Sequence, residues 1–234
     1  MRILVIHQTY PDTERDLRHA ACRSVAPSGV EIEFAEIHGG RMLRGASLSP
    51  ELFAAEAAPP IIKLAQEAEE DGVDAVVPLG VLDLGVDAAP SHVSIPVVGA
   101  GRTGLHVAAA VHARIGVIVY GASAARLTWR IARECGVADL ITSIRPVHMT
   151  NKEMSERPDD LHERILTIAR EQADNEGAEV ILPHGISMVP VNVSAAELSG
   201  ELHLPVIDGL AASLRIAEFL ASSGYRRARE GNPK

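Results

Sequence analysis

Apolar residues along this chain fall into two alternating patterns. Short aliphatic, β-branched runs at residues 3–6, 31–35, 75–78, 97–98, 115–120, 143–146, 180–183 and 206–207 read as strands. Longer stretches with helical spacing at 59–71, 104–113, 122–135, 159–176 and 210–222 read as helices. The strand runs are continuously apolar rather than alternating, the pattern of strands covered on both faces. Strands separated by helices imply parallel sheets, so the expected fold class is α/β, doubly wound. Pro158, Asp159 and Asp160 open the helix at 159–176 with a fixed φ and charges that complement its dipole, while Gly136 stops the helix at 122–135 and Gly177 that at 159–176. Two longer loops, 39–50 and 147–158, occupy corresponding places and are candidate flaps.

One block occurs twice. EDGVDAVVPLGVLDLG, from Glu70 to Gly85, is matched by NEGAEVILPHGISMVP, from Asn175 to Pro190. Gly72 and Gly177 stand eight residues before Gly80 and Gly185, and Pro78 and Pro183 stand two before them. Downstream, Ile95-Pro96-Val97-Val98-Gly99 is echoed by Leu204-Pro205-Val206-Ile207-Asp208. The chain is therefore read as two related halves, residues 1–100 plus 211–234 and residues 101–210.

Composition narrows the functions open to these halves. At 234 residues and 47% hydrophobic the chain can bury a sizeable core. A formal net charge of -9 argues against a broad nucleic-acid or anionic-membrane surface, and the basic cluster Arg226-Arg227-Ala228-Arg229 lies in a polar C-terminal stretch expected to fray. No apolar run approaches bilayer length, and Met1-Arg2 leads straight into a strand-like run rather than a signal peptide, so a cytoplasmic location is expected. Cys22 and Cys135 are too few for a disulfide framework or a cysteine zinc site and are read as packing residues.

In parallel α/β sheets, ligands bind beyond the carboxyl ends of the strands, and paired halves place a pocket in the cleft between them. The candidate site therefore comprises His7, Gln8, Thr9 and Tyr10; Gly80, Val81, Leu82 and Asp83; Tyr120 and Gly121; His148; and His184, Gly185, Ile186 and Ser187. His7 and His184 are the candidate proton carriers, since imidazole titrates near neutrality, and Asp83 is the candidate to orient a ring. A structural hydrogen bond is the competing reading for His184, and His148 follows a strand of uncertain register. His19, His92, His112, His162 and His203 fall on predicted helices or surface loops and are expected to be solvated. Three histidines and a carboxylate suit zinc, but no HExxH or comparable spacing is present and no metal ligand is assigned. Gly99-Ala100-Gly101-Arg102-Thr103-Gly104 fits GxGxxG, yet no acid follows the next strand to hold a ribose, which favours packing over nucleotide binding. Gly185-Ile186-Ser187 begins like a nucleophile elbow, but Val189 replaces the closing glycine and leaves Ser187 as a hydrogen-bond donor to substrate.

MRILVIHQTY, VVPLGVLDLGVDAA, IPVVGAGRTGLHVAAA, EVILPHGISM and LPVIDGLAASLRIAE resemble, in order, successive segments of the hydantoin racemase branch of the aspartate/glutamate racemase superfamily, which also includes maleate isomerases and arylmalonate decarboxylases. The resemblance implies two flavodoxin-like parallel-sheet domains related by pseudo-twofold symmetry, with an active-site cleft between them and the C-terminal helix returning to the first. It also implies assembly as a homo-oligomer and cofactor-independent chemistry on a small carboxylate or cyclic amide. In that family one cysteine from each half works across the substrate, one thiolate removing a proton beside a carbonyl and the other thiol returning one. The resemblance places those cysteines at Gly80 and Gly185, and sets His7 where the family carries the first asparagine of an Asn-Pro-Asn segment. Glycine has nothing to titrate, so a two-thiol reaction is excluded and other groups must move the proton.

The leading expectation is accordingly a racemase-like isomerase without catalytic cysteines. Backbone N–H groups near Gly80, Asp83 and Gly185 to Ser187 would stabilise an enolate. A lyase or decarboxylase, a metal-dependent hydrolase using the strand-end histidines, and a non-catalytic small-molecule-binding homologue are the alternatives.

Overall fold

The apolar run after Met1 forms β1 (Arg2–Gln8), the central strand of a parallel sheet ordered β2-β1-β3, with β2 at Glu31–Ile37 and β3 at Ala75–Pro78. Ile3 to Ile6 pair with Ala75 to Pro78 in register. Ile3, Val5 and Ile6 are buried because the strand has neighbours on both edges and cover on both faces. The second half repeats this arrangement: β4 (Ile115–Val119) lies between β5 (Ile141–Pro146) and β6 (Val180–Pro183), and Ile115 to Ile118 pair with Val180 to Pro183. The computed structural model describes residues 1–37, 50–111 and 114–227. The chain divides into two compact units, Met1–Ala100 with the segment from Ser213 onward, and Gly101–Ala212.

The repeated block makes the same backbone bonds in each unit. Leu79 N–H donates to Ile6 O and His184 N–H to Ile118 O, each at 2.7 Å. Val76 N–H donates to Pro96 O and Val98 N–H to Val76 O, and Ile181 with Pro205 and Ile207 reproduces the pair. The strands expected at 97–98 and 206–207 reduce to these single bridges, Val76 with Val97 and Ile181 with Val206. Pro96 and Pro205 have no N–H, which limits how far a ladder can extend there.

Helices cover the sheets. The first unit holds α1 (Asp12–Val25) and α2 (Pro50–Glu70); α3 (Ala100–Val111), α4 (Ala122–Glu134), α5 (Asn151–Glu156), α6 (Pro158–Glu176) and α7 (Ala195–Leu202) follow, and α8 (Gly209–Ser222) runs past Ser213 into the segment assigned to the first unit. Four helices differ from expectation. α2 begins at Pro50 and passes through Pro59 and Pro60 instead of starting there, because Ala57, Ile61, Ala65 and Ala68 form one buried stripe across the break. α1, α5 and α7 occupy stretches outside the five expected helices, and α5 makes the 147–158 loop mostly helical. The rest of the expected 39–50 loop lies outside the described residues, as does His112. Gly177 closes α6 in the left-handed region with φ 71°.

Each unit has its own core. Leu4, Ile6, Ile61, Ala65, Val76 and Ile95 anchor the first, and Ile118, Met154, Leu161, Ile165, Ile181 and Met188 the second. Full burial of one such large aliphatic side chain contributes roughly 1.5–3 kcal/mol. Among the described residues no helix is long and apolar enough to cross a membrane.

Candidate active site

In the second unit the strand ends bring His184, Gly185, Ser187 and Tyr120 together. His184 sits at the end of β6, only 2% exposed, with Nδ1 3.0 Å from Thr128 Oγ1 on α4 and Nε2 3.3 Å from the Gly101 carbonyl oxygen. A carbonyl accepts only, so Nε2 carries the hydrogen and Nδ1 accepts from the threonine hydroxyl. Burial lowers the ring's pKa from 6.5 to about 4, against the raising effect of the Gly101 carbonyl, and the imidazole is neutral at pH 7. Its geometry is that of a strut between β6, α4 and the start of α3.

Gly185 N–H donates to Pro183 O at 3.0 Å, and Ser187 N–H donates to the Tyr120 phenol oxygen at 3.1 Å. Two N–H groups assigned in the sequence reading to a developing enolate are thus engaged inside the turn. Ser187 O in turn accepts from Asn192 Nδ2 at 2.6 Å. Ile186 is buried, and Gly121 is the residue before α4, where no side chain caps the helix. His148 follows β5 with φ 54° and donates its N–H to Tyr120 O at 3.0 Å. Its side chain is exposed on a shallow groove of about 300 Å³ shared with Glu163, Arg164 and Thr167 of α6.

In the first unit His7 is 4% exposed at the end of β1. Nδ1 lies 2.8 Å from Gln8 O, and Nε2 lies 2.9 Å from His19 Nε2 on α1. A carbonyl accepts only, so Nδ1 donates to Gln8 O, and the two histidines face each other through their Nε2 atoms. The expectation that His19 is solvated is corrected: its ring is half-buried and stacked on Phe34 with centroids 3.6 Å apart, and burial lowers its pKa, helped by the charges of His7 and Arg23. Tyr10 is half-buried beneath Arg18, whose guanidinium carbon is 4.0 Å from the ring centroid. Burial raises the Tyr10 pKa and the arginine opposes it. Thr9 is exposed and hydrogen-bonds Glu36 at 2.6 Å.

The turn after β3 is built differently from its counterpart. Gly80 has φ 134°, a backbone conformation that disfavours any side chain, while a Cβ placed there would meet nothing within 4 Å among the described residues. Val81 and Leu82 are half-buried, and Leu82 packs on the first core. Asp83 is buried with φ 50°, and a Cβ on Gly99 would lie 2.3 Å from its Oδ1. Gly104 likewise faces Leu182 at 3.2 Å, so Gly99 and Gly104 of the GxGxxG segment serve close packing. In the second unit the swap is reversed: Met188 takes the place of Asp83 and Asp208 that of Gly99, its carboxylate capping α8 through Leu210 and Ala211 N–H.

Sequence reasoning missed Thr128, His19, Arg18 and Phe34. Arg18 and His19 were hidden because α1 has no apolar stripe, and nothing local marks Thr128. Among the described residues no three His, Cys, Asp or Glu side chains gather as a metal site.

A model of the Asp/Glu/Hydantoin racemase family matches residues 14–217. The chain belongs to this family. It is 27% identical over 230 residues to the hydantoin racemase of Paenarthrobacter aurescens, covering 98% of this chain and 94% of that one. Two solved structures share the fold at 22% identity: an allantoin racemase from Klebsiella pneumoniae with TM-score 0.86, covering 99% of this chain and 91% of that one, and one from Pseudomonas fluorescens with TM-score 0.85, covering 100% and 98%.

Proposed function

We propose that the protein is a cofactor-independent racemase of a small cyclic amide of the hydantoin or allantoin type, moving the proton on the carbon next to a ring carbonyl. The observation that carries the reading is the family match, with a relative named hydantoin racemase spanning nearly the whole of both chains. The chemistry of the strand ends agrees with a neutral ring rather than an amino-acid carboxylate. The candidate residues His7 to Tyr10, Gly80 to Asp83, Tyr120, Gly121 and Gly185 to Ser187 include no lysine or arginine to pair a carboxylate.

In this reading Gly80 and Gly185 stand where the family's resemblance puts its thiols, and neither can take a proton. The first unit's proton carrier is His7, with His19 as its hydrogen-bonded partner. His184 holds the second turn in place, since burial keeps its ring neutral down to about pH 4 and so suits it poorly to cycle a proton near neutral pH.

The test is loss of optical rotation, and uptake of solvent deuterium at the ring carbon, for an optically pure 5-substituted hydantoin and for allantoin, with glutamate and aspartate alongside. Racemisation of a cyclic amide above the protein-free rate supports the reading. Conversion of the amino acids alone, or no conversion of any of the four, overturns it. The same assay on His7→Ala reads the first unit's carrier, because unchanged turnover removes His7 from the mechanism.

A further inference from the structure

The two glycines of the repeated block are glycine for different reasons. At Gly80 the backbone dictates the residue, and among the described residues nothing lies within 4 Å of a Cβ placed there. At Gly185 the space is filled: a Cβ there would lie 2.5 Å from Tyr120 Cζ, 2.7 Å from the Tyr120 hydroxyl oxygen and 2.7 Å from Met188 Cε. A Cβ at those distances forces the Tyr120 and Met188 side-chain ends to shift, so with the phenol where it stands residue 185 is glycine. Tyr120 leaves the end of β4 half-buried, its ring resting on the second core and its backbone carbonyl held by His148 N–H. Its oxygen accepts Ser187 N–H at 3.1 Å.

We infer that Tyr120 is the proton-transferring group of the second unit, its phenol oxygen standing where a side chain on residue 185 would otherwise stand. The inference rests on the racemase reading above. In one direction the tyrosinate oxygen takes the hydrogen from the carbon next to the ring carbonyl. An O–H bond forms, the C–H bond breaks, and its electron pair moves into the enolate. In the other direction the phenol O–H delivers its proton to the enolate carbon and the tyrosinate is left on Ser187 N–H. Nothing is oxidised or reduced, and the tyrosine hydrogen exchanges with water between turnovers.

The test uses the full chain and an optically pure 5-substituted hydantoin in deuterium oxide. Tyr120→Phe keeps the ring and removes the oxygen, and general acid–base catalysis of this kind is worth about 10²–10⁴-fold in kcat. The expected result is a kcat loss in that range with KM within about threefold, since a group acting only in proton transfer leaves substrate binding largely intact. Gly185→Ala retains every titratable group but drives a Cβ into Tyr120 Cζ, and kcat falls at least about 10-fold as the phenol is displaced. Thermal melts by circular dichroism check that both variants fold. Tyr120→Phe retaining kcat within about threefold overturns the role; if that variant unfolds, full activity in Gly185→Ala does so instead. Absence of exchange with the unchanged protein overturns the racemase reading itself, and this role with it.

Discussion

At the scale of single residues, the two strand-end histidines of similar sequence setting have different fates. His184 was marked by its place between Pro183 and Gly185, and its two readings were separated only by Thr128 and Gly101, residues 56 and 83 positions away in the chain. The folded ring refuses a proton until about pH 4, whereas the unfolded ring takes one near 6.5. Its contribution is therefore present in full above about pH 6.5 and is lost as pH falls from there to about 4, a loss on the order of 3 kcal/mol. Urea midpoints at about pH 7 and about pH 5 measure it, and His184→Gln flattens the difference. An equal pH dependence in the variant assigns the effect to other groups.

At the scale of elements, the strands were legible because a covered parallel strand writes a continuous apolar run. Helices were legible only where an apolar stripe survives. α1 reads DTERDLRHAACRSV, and its inward face is Arg18, Ala21 and Cys22, with Arg18 satisfied by Glu14 O at 2.9 Å and stacked on Tyr10. No hydrophobic periodicity marks such a helix. α5 carries a local signal instead of an apolar stripe: Thr150 and Glu153 form a capping box, with Glu153 Oε2 accepting from Thr150 N–H at 2.8 Å and Thr150 Oγ1 accepting from Glu153 N–H at 3.2 Å. Thr150→Ala costs about 1 kcal/mol, read as faster amide exchange across Asn151–Glu156 with the exchange of α6 unchanged. Equal acceleration in both helices assigns the loss to the whole unit rather than to the cap.

At the scale of the whole chain, the duplication is the organising fact, and the proposed chemistry departs from thiols. Cys22 is fully buried in α1, and Cys135 caps α4 half-buried, its N–H bonded to Ile131 O at 2.8 Å. Iodoacetamide accordingly leaves turnover intact, even where mass spectrometry finds Cys135 modified; rapid inactivation assigns a thiol to the reaction. The sequence by itself determined the α/β class, the family and the two equivalent glycines, because strand burial and tight turns are local and leave a repeating mark. What occupies the space beside each glycine was decided by tertiary structure alone. A tyrosine ring at Gly185, a carboxylate over Gly99 and an imidazole paired with His19 all depend on side chains brought in from other elements, and no spacing along the chain records such meetings.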